Sequence, residues 1–235
     1  MPRPKVLYNV GMTADGKVVT AAGDSRISGE EDLKEVHRLR AEHDAVAVGI
    51  NTVRKDDPML NVRLVEGEDP IRVVFDTECS IPLDCRLVRT ARDIPTVVLC
   101  AEADPGRVEK LEKRGVKVEE VGACEDGVDV ERGLELLYDM GVRTLLLEGG
   151  PTLAWSFLKR GLIDEFRVAV APVLVGGSDA LTPVEGEGFP RVDLGVGLEL
   201  KRVERVGRDV VLWYEVSGSA ADLASEHEEA RGRSS

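Results

Sequence analysis

Four short, almost uninterrupted aliphatic runs constrain this chain more than any other feature: DAVAVGI (44–50), IRVVFD (71–76), PTVVLCA (95–101) and RTLLLE (143–148). Strands without polar alternation are those buried on both faces, as in a parallel sheet covered by helices. Helical segments separate them. Ser28 opens one, with Glu31 completing a capping box and Leu33, Val36 and Leu39 as its apolar stripe. DPGRVEKLEKRG is punctuated as another, with Asp104 as N-cap, Pro105 in the first turn and Gly115 past the end. Asp129 to Met140 and Thr152 to Arg160 make two more, each stopped by a glycine. KVLYNV, VKVEEV and EFRVAVAPVLV read as further strands, the last bent at Pro172. The end changes character, because LELKRVERVGRDVVLWYEV spells an antiparallel hairpin around GRD. The expected fold is α/β, with a mixed, mostly parallel sheet flanked by helices and a C-terminal antiparallel hairpin. One domain is expected over residues 1–216, and an aperiodic, disordered tail over 217–235.

At 235 residues and 43% apolar content the chain can bury one substantial core. Its net charge of −13 does not come from the tail, where Asp222, Glu226, Glu228 and Glu229 face Arg231 and Arg233. The body is acidic, which argues against binding a nucleic-acid backbone. No apolar run approaches the ~20 residues of a membrane span, and no leader opens the chain, so a cytoplasmic protein is expected. Cys79, Cys85, Cys100 and Cys124 form no C-x-x-C pair and fall at no zinc-ligand spacing with His37, His43 or His227. Reduced, packed thiols and no metal site are expected.

Chemistry gathers where strands end. Glu148-Gly149-Gly150-Pro151-Thr152 runs from a buried strand through a glycine pair into a helix. A helix N-terminus behind glycines is an anion site of the kind used for pyrophosphate, although a tight strand–helix turn also asks for glycine. VGINTVRKDDPMLNVR turns through Asn51 and Thr52 into a short helix that must stop near Asp56-Asp57-Pro58. Paired acids at a helix C-terminus oppose its dipole, and a local rule broken this way points to function. Arg40 lies on the apolar stripe of its helix, where it serves the helix dipole or reaches a bound phosphate. Ser25 and Arg26 add phosphate-binding groups, and Gly176-Gly177 forms a further glycine loop after a strand.

NVGMTADGK, DSRIS, VGINTVRKDDPMLNVR, VVFDT, LLLEGGPTL, APVLVGG and GEGF occur in the order seen in riboflavin-pathway reductases. The chain resembles the archaeal 2,5-diamino-6-ribosylamino-4(3H)-pyrimidinone 5′-phosphate reductases and the reductase half of bacterial riboflavin deaminase/reductases. The resemblance implies a dihydrofolate-reductase-like fold, usually dimeric, with NADPH or NADH delivering hydride to C1′ of a ribosyl group that becomes ribityl. It implies that Thr52, Asp56, Val74, Phe75, Asp76, Thr77, Gly149, Gly150, Pro151 and Thr152 bind the cofactor. It places Ser25, Arg40, Leu60, Arg63 and Glu148 at the substrate, with both arginines on the 5′-phosphate, and Lys17, Asp56 and Glu148 nearest the reacting carbon.

Neither H-x-E nor P-C-x-x-C is present, so reduction without deamination is expected. Asp76 and Glu78 stand near the expected adenosine site with no immediate Lys or Arg for a 2′-phosphate, which weakens NADPH against NADH. Two rival readings remain: a dihydrofolate or other pterin reductase, separated by an assay with dihydrofolate, and a non-catalytic nucleotide-binding relative, separated by cofactor turnover.

Overall fold

Side-chain alternation through each central strand builds a core on both faces of one sheet. The computed structural model describes residues 2–125 and 127–218. Its first half contains β1 (Lys5–Thr13), α1 (Glu30–Glu42), β2 (Ala45–Gly49), α2 (Ile50–Asp56), β3 (Ile71–Phe75), α3 (Arg86–Arg89), β4 (Thr96–Cys100), α4 (Pro105–Glu112) and β5 (Val116–Glu120). Then follow β6 (Ala123–Cys124), β7 (Gly127–Val128), α5 (Val130–Asp139), β8 (Thr144–Leu147), α6 (Pro151–Leu158), β9 (Glu165–Ala171), β10 (Gly197–Val206) and β11 (Asp209–Ser217).

The sheet order is β10-β11-β9-β1-β8-β2-β3-β4-β5, parallel from β9 to β5 and antiparallel through the terminal hairpin. Ala45, Ala47, Val73, Phe75, Leu145 and Leu147 point to one face, where Leu134 and Leu137 of α5 and Phe157 of α6 cover them. Val46, Val48, Val74 and Leu146 point to the other, under Leu39 of α1, Val53 of α2, Leu87 of α3 and Leu111 of α4. A strand period of two makes each run serve both layers. The mixed, mostly parallel sheet and the hairpin match the expected fold class.

Local details differ from the sequence reading. Helix α1 begins at Glu30 with Gly29 as N-cap and no side-chain cap, so Ser28 and Glu31 form no capping box. The Gly29 N–H donates instead to Asp209 of the distant hairpin at 2.7 Å. Leu33 and Val36 turn away from the core, and the buried residues of α1 are Asp32, His37 and Leu39. Strand β9 ends at Ala171, since Pro172 has no N–H to continue the ladder. Ser217, expected to open the tail, still belongs to β11; the rest of the expected tail, residues 219–235, lies outside those described. Among the described residues no helix is long and apolar enough to cross a membrane, and no cluster of His, Cys, Asp and Glu is arranged to hold a metal ion.

Candidate active site

The chain leaves β1, builds β2 to β5 outward, then returns through β8 into the gap between β1 and β2. Strand order therefore reverses at β1/β8/β2, and a crevice opens at the strands' carboxyl ends where neighbouring loops diverge. A cavity of about 560 Å³ occupies that position.

Three walls carry its polar groups. The first is the turn after β8. Glu148, Gly149, Gly150, Pro151 and Thr152 all line the cavity. Gly149 has φ 120°, a conformation that favours glycine. Its carbonyl accepts from the Gly49 N–H at 3.0 Å, which ties the turn to the end of β2. Helix α6, whose first residues line the cavity, has Gly150 as N-cap and Pro151 in its first turn, with no side-chain cap among the described residues. A Cβ added at Gly150 would stand 3.4 Å from Thr52 Oγ1. This arrangement fits a dinucleotide's pyrophosphate.

The second wall is α2 and the segment beyond it. Thr52, Lys55, Asp56, Pro58 and Leu60 reach the cavity. The two acids that looked anomalous in sequence divide their work. Asp57 takes the left-handed C-cap conformation (φ 40°) and accepts from the Arg86 N–H at 2.7 Å, so it joins α2 to α3. Asp56 remains exposed at the cavity, with the Ser25 hydroxyl donating to it at 3.4 Å.

The third wall is α1, whose Leu33, Val36 and Arg40 line the cavity in one stripe. Arg40 does not stand free. Its Nε and Nη2 donate to the two carboxylate oxygens of Glu148 at 2.7 and 2.6 Å, and its Nη1 donates to the Asn61 carbonyl at 3.1 Å. The Arg40 and Glu148 side chains are 11% and 10% exposed. Burial works against the guanidinium charge, and Glu148 outweighs it, so Arg40 is held above its ordinary range.

Four expected site residues stand outside the cavity wall. Phe75 and Thr77 line it, whereas the period of β3 turns Val74 and Asp76 to the opposite face. Asp76 is buried and spends both oxygens on the next turn, accepting from Ser80 Oγ at 2.6 Å and the Ile81 N–H at 2.7 Å. Lys17 directs its ammonium to the Ala180 carbonyl at 2.9 Å. Arg63 is exposed and donates to the Asn61 side chain at 3.1 Å. The Gly176-Gly177 loop is likewise tied elsewhere, its Gly176 N–H donating to Asp15 at 2.7 Å.

Other wall residues had no sequence signal. Val128 and Val130 close the end beside Phe75 and Thr77, brought in by the short β6–β7 hairpin, which periodicity does not reveal. Gly11 left a trace in NVGMTADGK: a Cβ there would lie 2.5 Å from Ser28 Oγ. Gly186 of GEGF is a packing glycine, since its Cβ would overlap the Trp155 indole of α6.

Residues 4–212 match the family described as the RibD C-terminal domain. The chain is 48% identical to the 2,5-diamino-6-ribosylamino-4(3H)-pyrimidinone 5′-phosphate reductase of Methanothermobacter thermautotrophicus, over 92% of this chain and all of that protein. It is 40% identical to riboflavin biosynthesis protein RibD of Actinobacillus pleuropneumoniae, over 91% of this chain and 57% of that one. The solved structure of Acinetobacter baumannii RibD matches with a TM-score of 0.78 at 29% identity, over 92% of this chain and 58% of that chain. The chain thus spans little more than half the length of the RibD proteins it matches. With its sheet order and hairpin, it has the dihydrofolate-reductase-like fold and belongs to the RibD C-terminal domain family of riboflavin-biosynthesis reductases.

Proposed function

We propose that this protein reduces the ribosyl group of 2,5-diamino-6-ribosylamino-4(3H)-pyrimidinone 5′-phosphate to ribityl, using a nicotinamide cofactor. One observation carries the reading: the uncapped N-terminus of α6, the Arg40–Glu148 pair and Asp56 share one cavity at the switch point of the sheet. The cofactor, when bound, supplies a hydride to C1′ of the ring-opened imine. The chain's residues do the rest. The Gly149-Gly150 turn and the first turn of α6 hold the pyrophosphate, with Thr52 opposite. Phe75, Thr77, Val128 and Val130 shape the end for the adenosine. Both Glu148 oxygens accept from one edge of the Arg40 guanidinium; the carboxylate orients sugar hydroxyls and faces the positive charge that develops at the imine. Asp56 pairs with no cation among the described residues and is the group we assign to pass a proton to the imine nitrogen. Arg63, exposed at the far end of the same segment, serves the 5′-phosphate. Lys17 is assigned to holding the loop at Ala180 rather than to proton transfer.

NADPH is the proposed cofactor. Arg54 on α2 donates to Ser80 Oγ at 2.7 Å, which brings a guanidinium to the turn after Thr77 that looked acidic in sequence. Asp76, buried and turned away from the cavity, does not present its carboxylate to a ribose 2′-hydroxyl as in NAD-specific sites. The reductase unit is taken as one domain over residues 1–216, supported by its single nine-stranded sheet. A homodimer is proposed through β10, whose outer edge pairs with no strand among the described residues and whose Leu198, Leu200 and Val203 are exposed. Four free cysteines suit a reducing cytoplasm.

The test is cofactor oxidation with the ribosylaminopyrimidine phosphate, with mass spectrometry of the product. NADPH-dependent gain of two hydrogens by that substrate, and none by dihydrofolate, is expected. Turnover of dihydrofolate instead would replace this reading with the pterin one.

A further inference from the structure

The stretch from Asp57 to Arg63 belongs to no helix or strand, and its Pro58 and Leu60 line the cavity. Its backbone groups have no ladder to join, and side chains from elsewhere satisfy them. Arg72 donates to the Met59 carbonyl at 3.2 Å, Arg40 to the Asn61 carbonyl at 3.1 Å, and the Val62 N–H donates to Asp69 at 2.6 Å. The Arg63 N–H donates to Nδ1 of His37 at 3.1 Å. Within this strap Leu60 is 2% exposed and holds φ 51°, a left-handed conformation that a leucine keeps only where its surroundings impose it.

His37 and Arg40 stand three residues apart on α1, hence on one face of the helix, and grip the strap on either side of Val62. Arg40 is already a cavity residue through Glu148. His37 has no place in the chemistry described above, yet it is 2% exposed. An imidazole nitrogen that accepts a backbone N–H carries no proton, so the ring proton sits on Nε2. Burial and the neighbouring Arg40 and Arg63 cations favour that neutral ring, lowering its pKa to about 4.

We propose that His37 is a positioning residue for substrate: its Nδ1 lone pair fixes the Arg63 end of the strap, and with it the Leu60 wall and the Arg63 guanidinium. This rests on the reductase reading, in which Leu60 and Arg63 face the substrate and the α6 turn faces the cofactor. Removing the acceptor leaves the Arg63 N–H without its partner and frees the strap on the substrate side alone.

The experiment compares His37→Leu, which keeps bulk and loses the acceptor, with His37→Asn, whose side-chain oxygen lies near the position of Nδ1. Measured are KM and kcat with the ribosylaminopyrimidine phosphate, the Kd for NADPH by fluorescence titration, and circular dichroism. His37→Leu should raise KM about tenfold, the scale of one unsatisfied N–H, with the NADPH Kd within about twofold. His37→Asn should recover most of the loss. An unchanged KM in His37→Leu, equal weakening of both ligands, or His37→Asn no better than His37→Leu would each overturn the proposal. Nitrogen NMR of the wild-type imidazole needs no variant to fold: protonated Nε2 with bare Nδ1 is expected, and a protonated Nδ1 overturns it. A wild-type protein inactive on the substrate but binding NADPH would count against the substrate reading, and the NMR result would then decide the clamp by itself.

Discussion

Helix α1 meets the rest of the molecule through an arginine–carboxylate pair at each end. Asp32 in its first turn pairs with Arg167 of β9, and Arg40 in its last turn pairs with Glu148 beyond β8. The first pair is sealed, with side chains 0% and 1% exposed. Arg167 also donates to Asn9 at 2.7 Å and lies 5.5 Å from the Trp213 ring. The second pair has the same chemistry and a bidentate geometry, but one side of it faces the cavity. A sealed pair is costly to break because the survivor is left charged in the interior. A pair at a cavity wall can exchange partners with a ligand at smaller cost. The contrast separates an ion pair that positions a helix from one that presents a charge to a cavity.

The largest effect should come from the sealed pair. Asp32→Ala leaves Arg167 buried without its anion and should cost roughly 3–5 kcal/mol of stability, read by urea denaturation. The folded fraction should retain its KM. A stability loss confined to a few tenths of a kcal/mol would mean the pair is not sealed. Next comes Glu148→Gln, which keeps the shape and removes the charge. Turnover should fall about 100-fold, the scale of a misplaced substrate, with little change in Tm. A drop in Tm as large as that of Asp32→Ala would erase the distinction between the two pairs.

How much of this was legible in sequence follows from distance along the chain. The strands announce themselves because burial on two faces writes an apolar run within a few residues, as at Ala45–Gly49 and Thr144–Leu147. The glycine turn at 148–152 is equally local, and its place at the cavity could be read directly. The ion pairs could not, because their partners lie 108 and 135 residues apart. The capping box at Ser28 failed for the same reason: the carboxylate that accepts the Gly29 N–H belongs to Asp209, 180 residues away. Val74 and Asp76 stand off the cavity wall because a strand offers only alternate side chains to one face, an alternation that a continuous segment such as VVFDT does not reveal.

Lys17 sharpens the same comparison. It is a charge near the site whose ammonium is spent on a backbone carbonyl. Lys17→Met should lower turnover by less than about tenfold, well short of a lost acid–base group. A loss equal to that of Glu148→Gln would return it to the reacting centre. The smallest effect concerns acid. His37, facing Arg40, Arg63, Glu148 and the Asn61 carbonyl, is lowered from 6.5 to about 4, chiefly by burial. The unfolded chain therefore binds this proton first, so the contribution is intact above pH 6.5 and is lost as pH falls toward about 4. In urea titrations His37→Asn should lose less stability than wild type across that window; parallel curves would refute it.

The central claim is that this cavity passes a hydride to C1′ of the sugar. Single-turnover reduction with NADPH deuterated at the transferring C4 position tests it most directly. The ribityl product should carry the deuterium at C1′, and Glu148→Gln should place it there too, only more slowly. Product without deuterium at C1′, or with deuterium in the pyrimidine ring, would contradict the account.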